Sequence, residues 1–530
     1  MTELLRVNNL NITYKSGHGI SHAVKNVSFA LKSGQSFALV GESGCGKTTT
    51  ANAVMHLLGE NAQMTGEISF RGKPLTAKTI TKVRGKRIAM IFQNPMSSLN
   101  PFLKIKTQLI EQIAQHSTKN RSQAFQHAVA LLEKVGIDQP LERLEQYPHE
   151  FSGGMQQRVV IAMALSCNPY LIIADEPTTA LDVTIQAQII RELNRLVKEE
   201  NLALLLISHD LGVVANICGT VAVMKNGSIV EEGTAANLFH HPQHQYTREL
   251  LEAVPGFSNL KQTPADTKEP ALTVKNLTVR FMTSHKDHFT AVNDINFCLK
   301  PNEILGIAGE SGSGKSTTLR ALTRLVSAVE GYAGFESRDL LTLSKSELAD
   351  SRQNVQMIFQ DPYNSLNPRW RISKIIEEPL KNLTNLSRKE RKKRVEELLK
   401  MTEVDPALGG RFPHQLSGGQ CQRVGIARAL ATKPQVLLCD EPVSALDVVV
   451  QKQVIDLLKK LQKELNIAII FVSHDLAVVS ELCDRVLIMK NGEIVEEGST
   501  EQIFNRPQAS YTKTLISAVP LPDPNKKIII

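Results

Sequence analysis

Apolar and polar positions follow the same itinerary twice along this chain. Each half opens on an alternating stretch, LLRVNNLNITY from Leu4 and ALTVKNLTVRF from Ala271. Such alternation predicts a half-buried strand of an antiparallel sheet. A short apolar run then meets a Gly-rich loop and a helix-periodic segment: SFALV, GESGCGKT and TTANAVMHLL in the first half, EILGIA, GESGSGKS and TTLRALTRL in the second. Long, charged, helix-periodic segments follow, roughly residues 104–145 and 371–405. Two further apolar runs, LIIAD and LALLLIS, then LLCD and AIIFV, flank a helix in each half. Strands alternating with helices predict an α/β fold whose parallel sheet is covered on both faces.

The repetition extends to individual residues. Lys47 recurs as Lys315, an offset of 268, and Gln93 as Gln360, an offset of 267. Ser152, Asp175 and His209 recur as Ser417, Asp440 and His474, each offset by 265. An aromatic residue, Tyr14 or Phe281, opens each copy. The 530 residues therefore divide into two homologous halves, each large enough for its own core. The expected division is a first domain over 1–255, a linker over 256–270, a second domain over 271–520 and a tail over 521–530. The linker GFSNLKQTPADTKEP is polar, carries two prolines and lacks an apolar period. Extended, it reaches about 50 Å.

Composition narrows the function class. The net charge of +8 is dispersed rather than gathered into one stripe, so no nucleic-acid partner is expected. The densest basic run, RKERKKR over Arg388–Arg394, precedes Val395 and Leu398 in an amphipathic pattern and reads as a solvated helix face. The seven cysteines form no CxxC pair or His/Cys cluster and read as reduced thiols. The first residues, MTELLRVNNL, contain no apolar signal core. The apolar runs are far shorter than the roughly 20 residues of a bilayer span, so any membrane role is expected to come through partners.

Chemistry concentrates in a few motifs. Gly41, Gly44 and Gly46 let a loop wrap phosphate oxygens with its N–H groups; Lys47 adds charge at the β/γ-phosphates, and the Thr48 hydroxyl suits Mg²⁺. The whole loop from Gly41 through Glu42, Ser43, Cys45 and Thr49 is a candidate ATP site. Gly309, Glu310, Ser311, Gly312, Ser313, Gly314, Lys315, Ser316 and Thr317 repeat it. Asp175 and Asp440 end apolar strands, where an α/β sheet presents ligand-binding groups, and are candidate Mg²⁺ carboxylates. Glu176 and Glu441, next in sequence, are placed to orient and deprotonate an attacking water. His209 and His474, in ISHD and VSHD, are placed to bond a γ-phosphate and that glutamate. Ser152-Gly153-Gly154 and Ser417-Gly418-Gly419 precede helices and offer a second anion-binding edge, with a simple helix cap as the alternative reading.

Together the P-loop, glutamine, SGG, DE and SHD motifs resemble the ATPase subunits of ABC transporters over nearly the whole chain. The resemblance implies two ABC ATPase domains, each with a P-loop core, an antiparallel β subdomain and a helical subdomain. It implies that each ATP lies between one half's P-loop and the other's SGG signature: Gly41–Thr48 with Ser417–Gly419, and Gly309–Ser316 with Ser152–Gly154. It further places Tyr14 and Phe281 at the adenine, and Gln93 and Gln360 at a loop sensing Mg²⁺ and γ-phosphate. It also places Asp182 and Asp447 at a contact linking the sites. QNPMSSLNP, QDPYNSLNP and the closing segments HPQHQYTRELLEAVP and RPQASYTKTLISAVP resemble the oligopeptide/dipeptide/nickel importer branch. That branch implies two transmembrane permeases, a solute-binding protein and a peripheral position on the cytoplasmic face of the bacterial inner membrane. No iron–sulfur cluster is expected from the cysteine positions. The first signature departs from the pattern, with Phe151 and Met155 around SGG where the second has Leu416 and Gln420. A soluble tandem ATPase acting on ribosomes or DNA is the alternative, disfavoured by the short linker and the paired closing segments.

Overall fold

The computed structural model describes residues 3–16, 19–178, 181–257, 260, 269–282 and 288–526. The chain forms two compact units: the described residues of Met1–Val254 with Ala518–Ile530, and those of Pro255–Ser517.

In the first unit, strands Gly19–Lys32, Glu3–Ser16, Ala62–Phe70 and Lys73–Pro74 form an antiparallel sheet in that order. A second sheet runs Ser228–Thr234, Thr220–Lys225, Ser36–Val40, Ala203–Ser208, Leu171–Asp175, Ile88–Ile91. It is parallel except at its Ser228–Thr234 edge. Every residue of Leu171–Asp175 and Ala203–Ser208 is buried, which is why these strands read as unbroken apolar runs. One core joins Leu5, Val7 and Leu10 of the antiparallel sheet to Phe37 and Leu39 of the parallel sheet. Ala51, Ala53 and Val54 of helix Lys47–Val54 belong to the same core, so the helix after the Gly-rich loop is gripped by both sheets.

The second unit repeats this plan. Its parallel sheet runs Val355–Ile358, Val436–Asp440, Ala468–Ser473, Ile304–Ala308, Arg485–Lys490, with Glu493–Ser499 antiparallel at the edge. Leu272, Val274, Leu305, Ile307, Leu319 and Leu322 share its core. The charged segments fold as helices, Ile105–His116 and Arg121–Lys134 in one unit, Ile372–Leu383 and Arg388–Met401 in the other. The RKERKKR run opens the last of these. Most of its side chains face solvent, but Arg391 Nε donates to Glu377 Oε1 at 2.9 Å and Arg394 Nη2 donates to the Leu430 carbonyl at 3.3 Å.

Two boundaries differ from the sequence expectation. Most of the expected linker, residues 258–259 and 261–268, lies outside the described residues, and Phe257 packs its ring against Phe504 at 5.1 Å within the second unit. Ala518–Lys526, expected to close the second domain and begin the tail, group with the first unit, and the rest of the expected tail lies outside the described residues. The Pro520 backbone lies against helix Leu211–Ile217, where a Cβ on Gly212 would stand 2.1 Å from the Pro520 oxygen. Asn525 Nδ2 lies 3.2 Å from His240 Nε2. Docking of a short terminal segment depends on surface fit, which periodicity does not encode.

The repeat also shows one structural position solved in two ways. In the first unit Gln35 Nε2 donates to Thr220 Oγ1 at 2.9 Å; in the second, Glu303 and Arg485 occupy the matching places and pair at 2.9 Å. Glu303 is only 5% exposed. Removing the cation alone strands a buried carboxylate, at a cost of about 3–5 kcal/mol, whereas exchanging both partners for neutral ones does not. Arg485→Thr is therefore expected to destabilise the second unit by about that amount, and Glu303→Gln with Arg485→Thr to recover most of the loss in denaturant titrations.

Candidate nucleotide site

Strand register brings the motif residues to one edge of each sheet. Val40 pairs with Ser208, Asp175 with Ile207, and Ile91 with Ala174. The Gly-rich loop, Glu176, His209 and Gln93 therefore all emerge at the carboxyl ends of neighbouring strands. In the second unit Ala308 pairs with Ser473, Asp440 with Val472, and Ile358 with Cys439, with the same result.

The loops are built for close backbone approach. Gly41 and Gly309 have φ of +149° and +152°, and a Cβ there would stand 2.3 Å from the Met224 oxygen or 2.2 Å from the Met489 oxygen. Lys47 Nζ donates to the Gly41 and Glu42 carbonyls at 2.7 and 2.8 Å; Lys315 Nζ donates to those of Gly309 and Glu310 at 2.8 and 2.7 Å. Both lysines are buried, so these carbonyls solvate the ammonium group. Helices Lys47–Val54 and Lys315–Leu322 start on Gly46 and Gly314, with no side chain capping their first N–H groups. Loop amides, helix end and lysine together form an anion cradle.

The carboxylates stand beside it. Thr48 Oγ1 donates to Asp175 Oδ1 at 3.1 Å, and Ser316 Oγ to Asp440 Oδ1 at 2.6 Å. Burial pushes the Asp175 carboxyl up to about 6, opposed by the Thr48 bond; burial raises Asp440 as well. A hydroxyl and a carboxylate are hard oxygen donors of the kind that suit Mg²⁺.

Glu176 and Glu441 adopt left-handed backbones, with φ of +48° and +45°. Their N–H groups donate to the Ile207 and Val472 carbonyls at 2.8 and 3.0 Å. Each carboxylate is held from two sides. Gln93 Nε2 donates to Glu176 Oε2 at 2.7 Å and His209 Nδ1 donates to Oε1 at 2.8 Å. Gln360 Nε2 donates to Glu441 Oε2 at 2.9 Å, and His474 Nδ1 lies 3.1 Å from the same oxygen. Burial, the largest single influence, lowers the pKa of both histidines, but the bond to the glutamate, the glutamate charge and the charge of Asp210 or Asp475 together outweigh it and raise each above the ordinary imidazole value. Burial raises Glu441, yet His474 and Lys315 bring it below the usual carboxylate value. Asp210 and Asp475 cap the helices that follow, accepting from Val213 N–H at 3.1 Å and from Ala477 N–H at 2.9 Å, which fixes the histidines between strand and helix.

The remaining sequence candidates sit outside these clusters. Ser152 and Ser417 are the N-caps of helices Gly153–Leu165 and Gly418–Ala429. Ser417 accepts Gln420 N–H at 3.3 Å while Gln420 Oε1 accepts Ser417 N–H at 3.0 Å; Met155, at the matching place, has no oxygen to complete the reciprocal bond. Asp182 and Asp447 stand at the N-caps of Val183–Glu199 and Val448–Leu465. Tyr14 packs against the first core, and Phe281 is 40% exposed. Sequence reasoning missed the site role of two residues it had noted only as branch markers. Tyr246 OH accepts Glu42 N–H at 3.2 Å, and Tyr511 OH accepts Glu310 N–H at 3.3 Å. Their common offset of 265 was the available signal.

Two cassettes, each with a phosphate cradle, a hydroxyl–carboxylate pair and a doubly held glutamate, define an ATPase of the transporter type. The ABC transporter family matches residues 24–179 and 292–444, and the oligopeptide/dipeptide transporter C-terminal region matches residues 230–277 and 495–529. Glutathione import ATP-binding proteins GsiA of Escherichia coli O6:H1 and Shigella sonnei are each 43% identical to this chain, over 99% of it and 91% and 90% of their own lengths. A solved dimeric structure of the cassette MJ0796 in a post-hydrolysis state, bound to ADP and Pi, matches at 34% identity and TM-score 0.41, over 43% of this chain and 98% of that one. This chain belongs to the ABC transporter family, and it is the ATP-binding, ATP-hydrolysing subunit of a peptide-type importer. Such a subunit works with membrane permeases; among the described residues no helix is long and apolar enough to cross a membrane.

The raised Asp175 carboxyl has a consequence for stability. Its folded pKa of about 6 lies above the ordinary 3.8, so the folded state holds this proton more tightly than the unfolded chain. Its contribution to stability is therefore full below about pH 4 and is lost as pH rises through about 6. Asp175→Asn removes the penalty. With EDTA present, the variant is expected to melt above the wild type at pH 8, by the equivalent of at most about 3 kcal/mol, and the gap to narrow at pH 5 in scanning calorimetry.

Proposed function

We propose that this chain powers uptake of a peptide-like solute across the bacterial inner membrane, from its cytoplasmic face, together with two transmembrane permeases and a solute-binding protein. Both halves are read as active. The observation that carries this is the doubled Gln–Glu–His cluster, complete in each unit with contacts of 2.7 to 3.1 Å. Glutathione is the first solute to test, since the relatives are named for its import. Other peptides, nickel and metal chelates follow from the importer branch.

In this reading the loops Gly41–Thr49 and Gly309–Thr317 hold ATP phosphates, with Tyr14 and Phe281 at the adenine. Thr48, Asp175 and Gln93, and Ser316, Asp440 and Gln360, hold Mg²⁺, which supplies charge neutralisation at the phosphates. Glu176 and Glu441 orient and deprotonate the attacking water, and His209 and His474 keep each carboxylate aimed. The Ser152–Gly154 and Ser417–Gly419 helix ends serve as the signature elements that close on nucleotide. Closure is favoured only by contacts stronger in the closed state, and a γ-phosphate bonded to a signature serine provides one.

Glu176→Gln with Glu441→Gln keeps the side-chain size and shape and removes the base. The double variant is expected to bind ATP and lose at least about a hundredfold in turnover; normal turnover would end this account. Lys47→Ala is expected to weaken ATP binding at the first loop about tenfold or more, read by calorimetric titration. With the permeases and binding protein in proteoliposomes, a peptide-like solute is expected to stimulate hydrolysis, and stimulation by nickel alone would redirect the solute assignment.

A further inference from the structure

The closing segment of each half reaches back to its own Gly-rich loop. Glu231 Oε1 and Oε2 accept Gln243 N–H and His244 N–H at 2.8 and 3.0 Å, fixing the start of helix Gln245–Ala253. Glu496 does the same for Gln508 and Ala509 at 2.7 and 3.1 Å, ahead of helix Ser510–Ser517. Tyr246, on the first of these helices, is 2% exposed. Lys225 Nζ lies 4.2 Å from its ring centre, and Lys490 Nζ lies 4.6 Å from that of Tyr511. Each ring is thus held by its helix on one side and a cation on its face.

The hydroxyl then meets one particular peptide group. In a trans peptide the C=O of one residue and the N–H of the next point opposite ways, and the described residues contain no cis bond. Lys47 takes the Gly41 carbonyl at 2.7 Å, while Tyr246 takes the Glu42 N–H of the same peptide at 3.2 Å. Lys315 and Tyr511 grip the Gly309–Glu310 peptide in the same manner, at 2.8 and 3.3 Å. This peptide follows a glycine that the crowding Met224 or Met489 oxygen makes obligatory. Glycine leaves the peptide unusually free to rotate, so its orientation has to be set from outside the loop.

We propose that Tyr246 and Tyr511 are positioning residues for nucleotide. Each tyrosine fixes the first peptide of its Gly-rich loop, which keeps the glycine carbonyl turned to the lysine and the lysine charge at the phosphate cradle. The closing segment is thereby a structural part of each ATP site, and a disturbance of that segment reaches the phosphates through one hydroxyl. This inference rests on reading the two loops as nucleotide sites.

The test uses the full-length chain carrying Tyr246→Phe with Tyr511→Phe. The rings, their packing and the lysine contacts remain, and only the two hydroxyls are lost. MgATP is titrated calorimetrically at a temperature at which circular dichroism shows every variant folded, and kcat is measured at saturating ATP on the chain assembled with its permeases. ATP affinity is expected to fall about fivefold, the effect of one lost hydrogen bond, with kcat within twofold of wild type. Affinity within twofold of wild type overturns the proposal, whatever happens to the melting temperature, because it assigns the hydroxyls to folding alone. A fall in kcat without a fall in affinity overturns it as well. Lys47→Ala with Lys315→Ala, titrated in parallel, separates the failures. If the lysine variants weaken and the tyrosine variants do not, only the positioning role fails; if neither weakens, the loop assignment fails first.

Discussion

Parallel pairing in a single register is the constraint on which each half depends. It places the loop after Val40, the carboxylates at Asp175 and Glu176, and His209 at adjacent strand ends. Burial alone does not set that register. Leu171–Asp175 is buried on both faces, so a shift by one residue would still bury apolar side chains. Polar ends pin it. Asp175 is tied to Thr48 at the carboxyl end. At the amino end the Tyr170 and Leu171 N–H groups donate to the Arg87 carbonyl at 2.9 and 3.2 Å, and the Arg71 and Arg87 guanidinium groups lie over the Tyr170 ring. The carboxylate of the candidate site is thereby also a register marker, and a strand slip would cost that site and the fold together.

Two copies in one chain act as controls for each other. What matches between them to within about half an ångström is the set of contacts at the sheet edge: lysine on two loop carbonyls, hydroxyl on aspartate, glutamine and histidine on glutamate, tyrosine on the first loop amide. Gln35 with Thr220 against Glu303 with Arg485 shows the opposite case, a neutral and an ionic pair doing the same mechanical work between strands. Met155 against Gln420 is intermediate. The helix end keeps its serine cap and loses the reciprocal bond, which leaves the first signature's Ser152 N–H without the side-chain partner that fixes Ser417. The asymmetry lies in how firmly each helix start is held, and the Gln–Glu–His cluster is the same in both copies.

The alternation of Leu4–Tyr14, the buried runs and the loop signatures made both sheets and most of the candidate site's residues legible in sequence, because each rests on local chemistry: period two, period 3.6, and glycine where a positive φ is needed. Three features were not legible, for physical reasons. The left-handed Glu176 depends on the Ile207 carbonyl, which belongs to another strand, and nothing in the pair Asp-Glu announces it. The Tyr246 hydroxyl and the Glu42 amide are brought together only by the folding of everything between them. The docking of Pro520 beside Gly212 is a matter of surface shape, and a glycine in a helix has many other reasons to be there. Each of the three is a non-local contact between groups that look ordinary in isolation.

These features together describe a site held away from its own local optimum. A left-handed backbone at a glutamate costs about 1–2 kcal/mol, a buried lysine is solvated by two carbonyls in place of water, and Asp175 sits buried beside Glu176, whose charge pushes its pKa further upward. None of these arrangements lowers the energy of the folded chain by itself. In the proposed reading the lysine and the aspartate become favourable when a polyanion and a divalent cation occupy the cradle, since the lysine and helix end then face negative charge and the carboxylate faces positive charge. Ligand binding to the folded state is in turn folding free energy. In that reading the sheet edge links stability to nucleotide occupancy. It follows that the tyrosine gripping the first loop peptide acts where a small change in backbone orientation is felt by both.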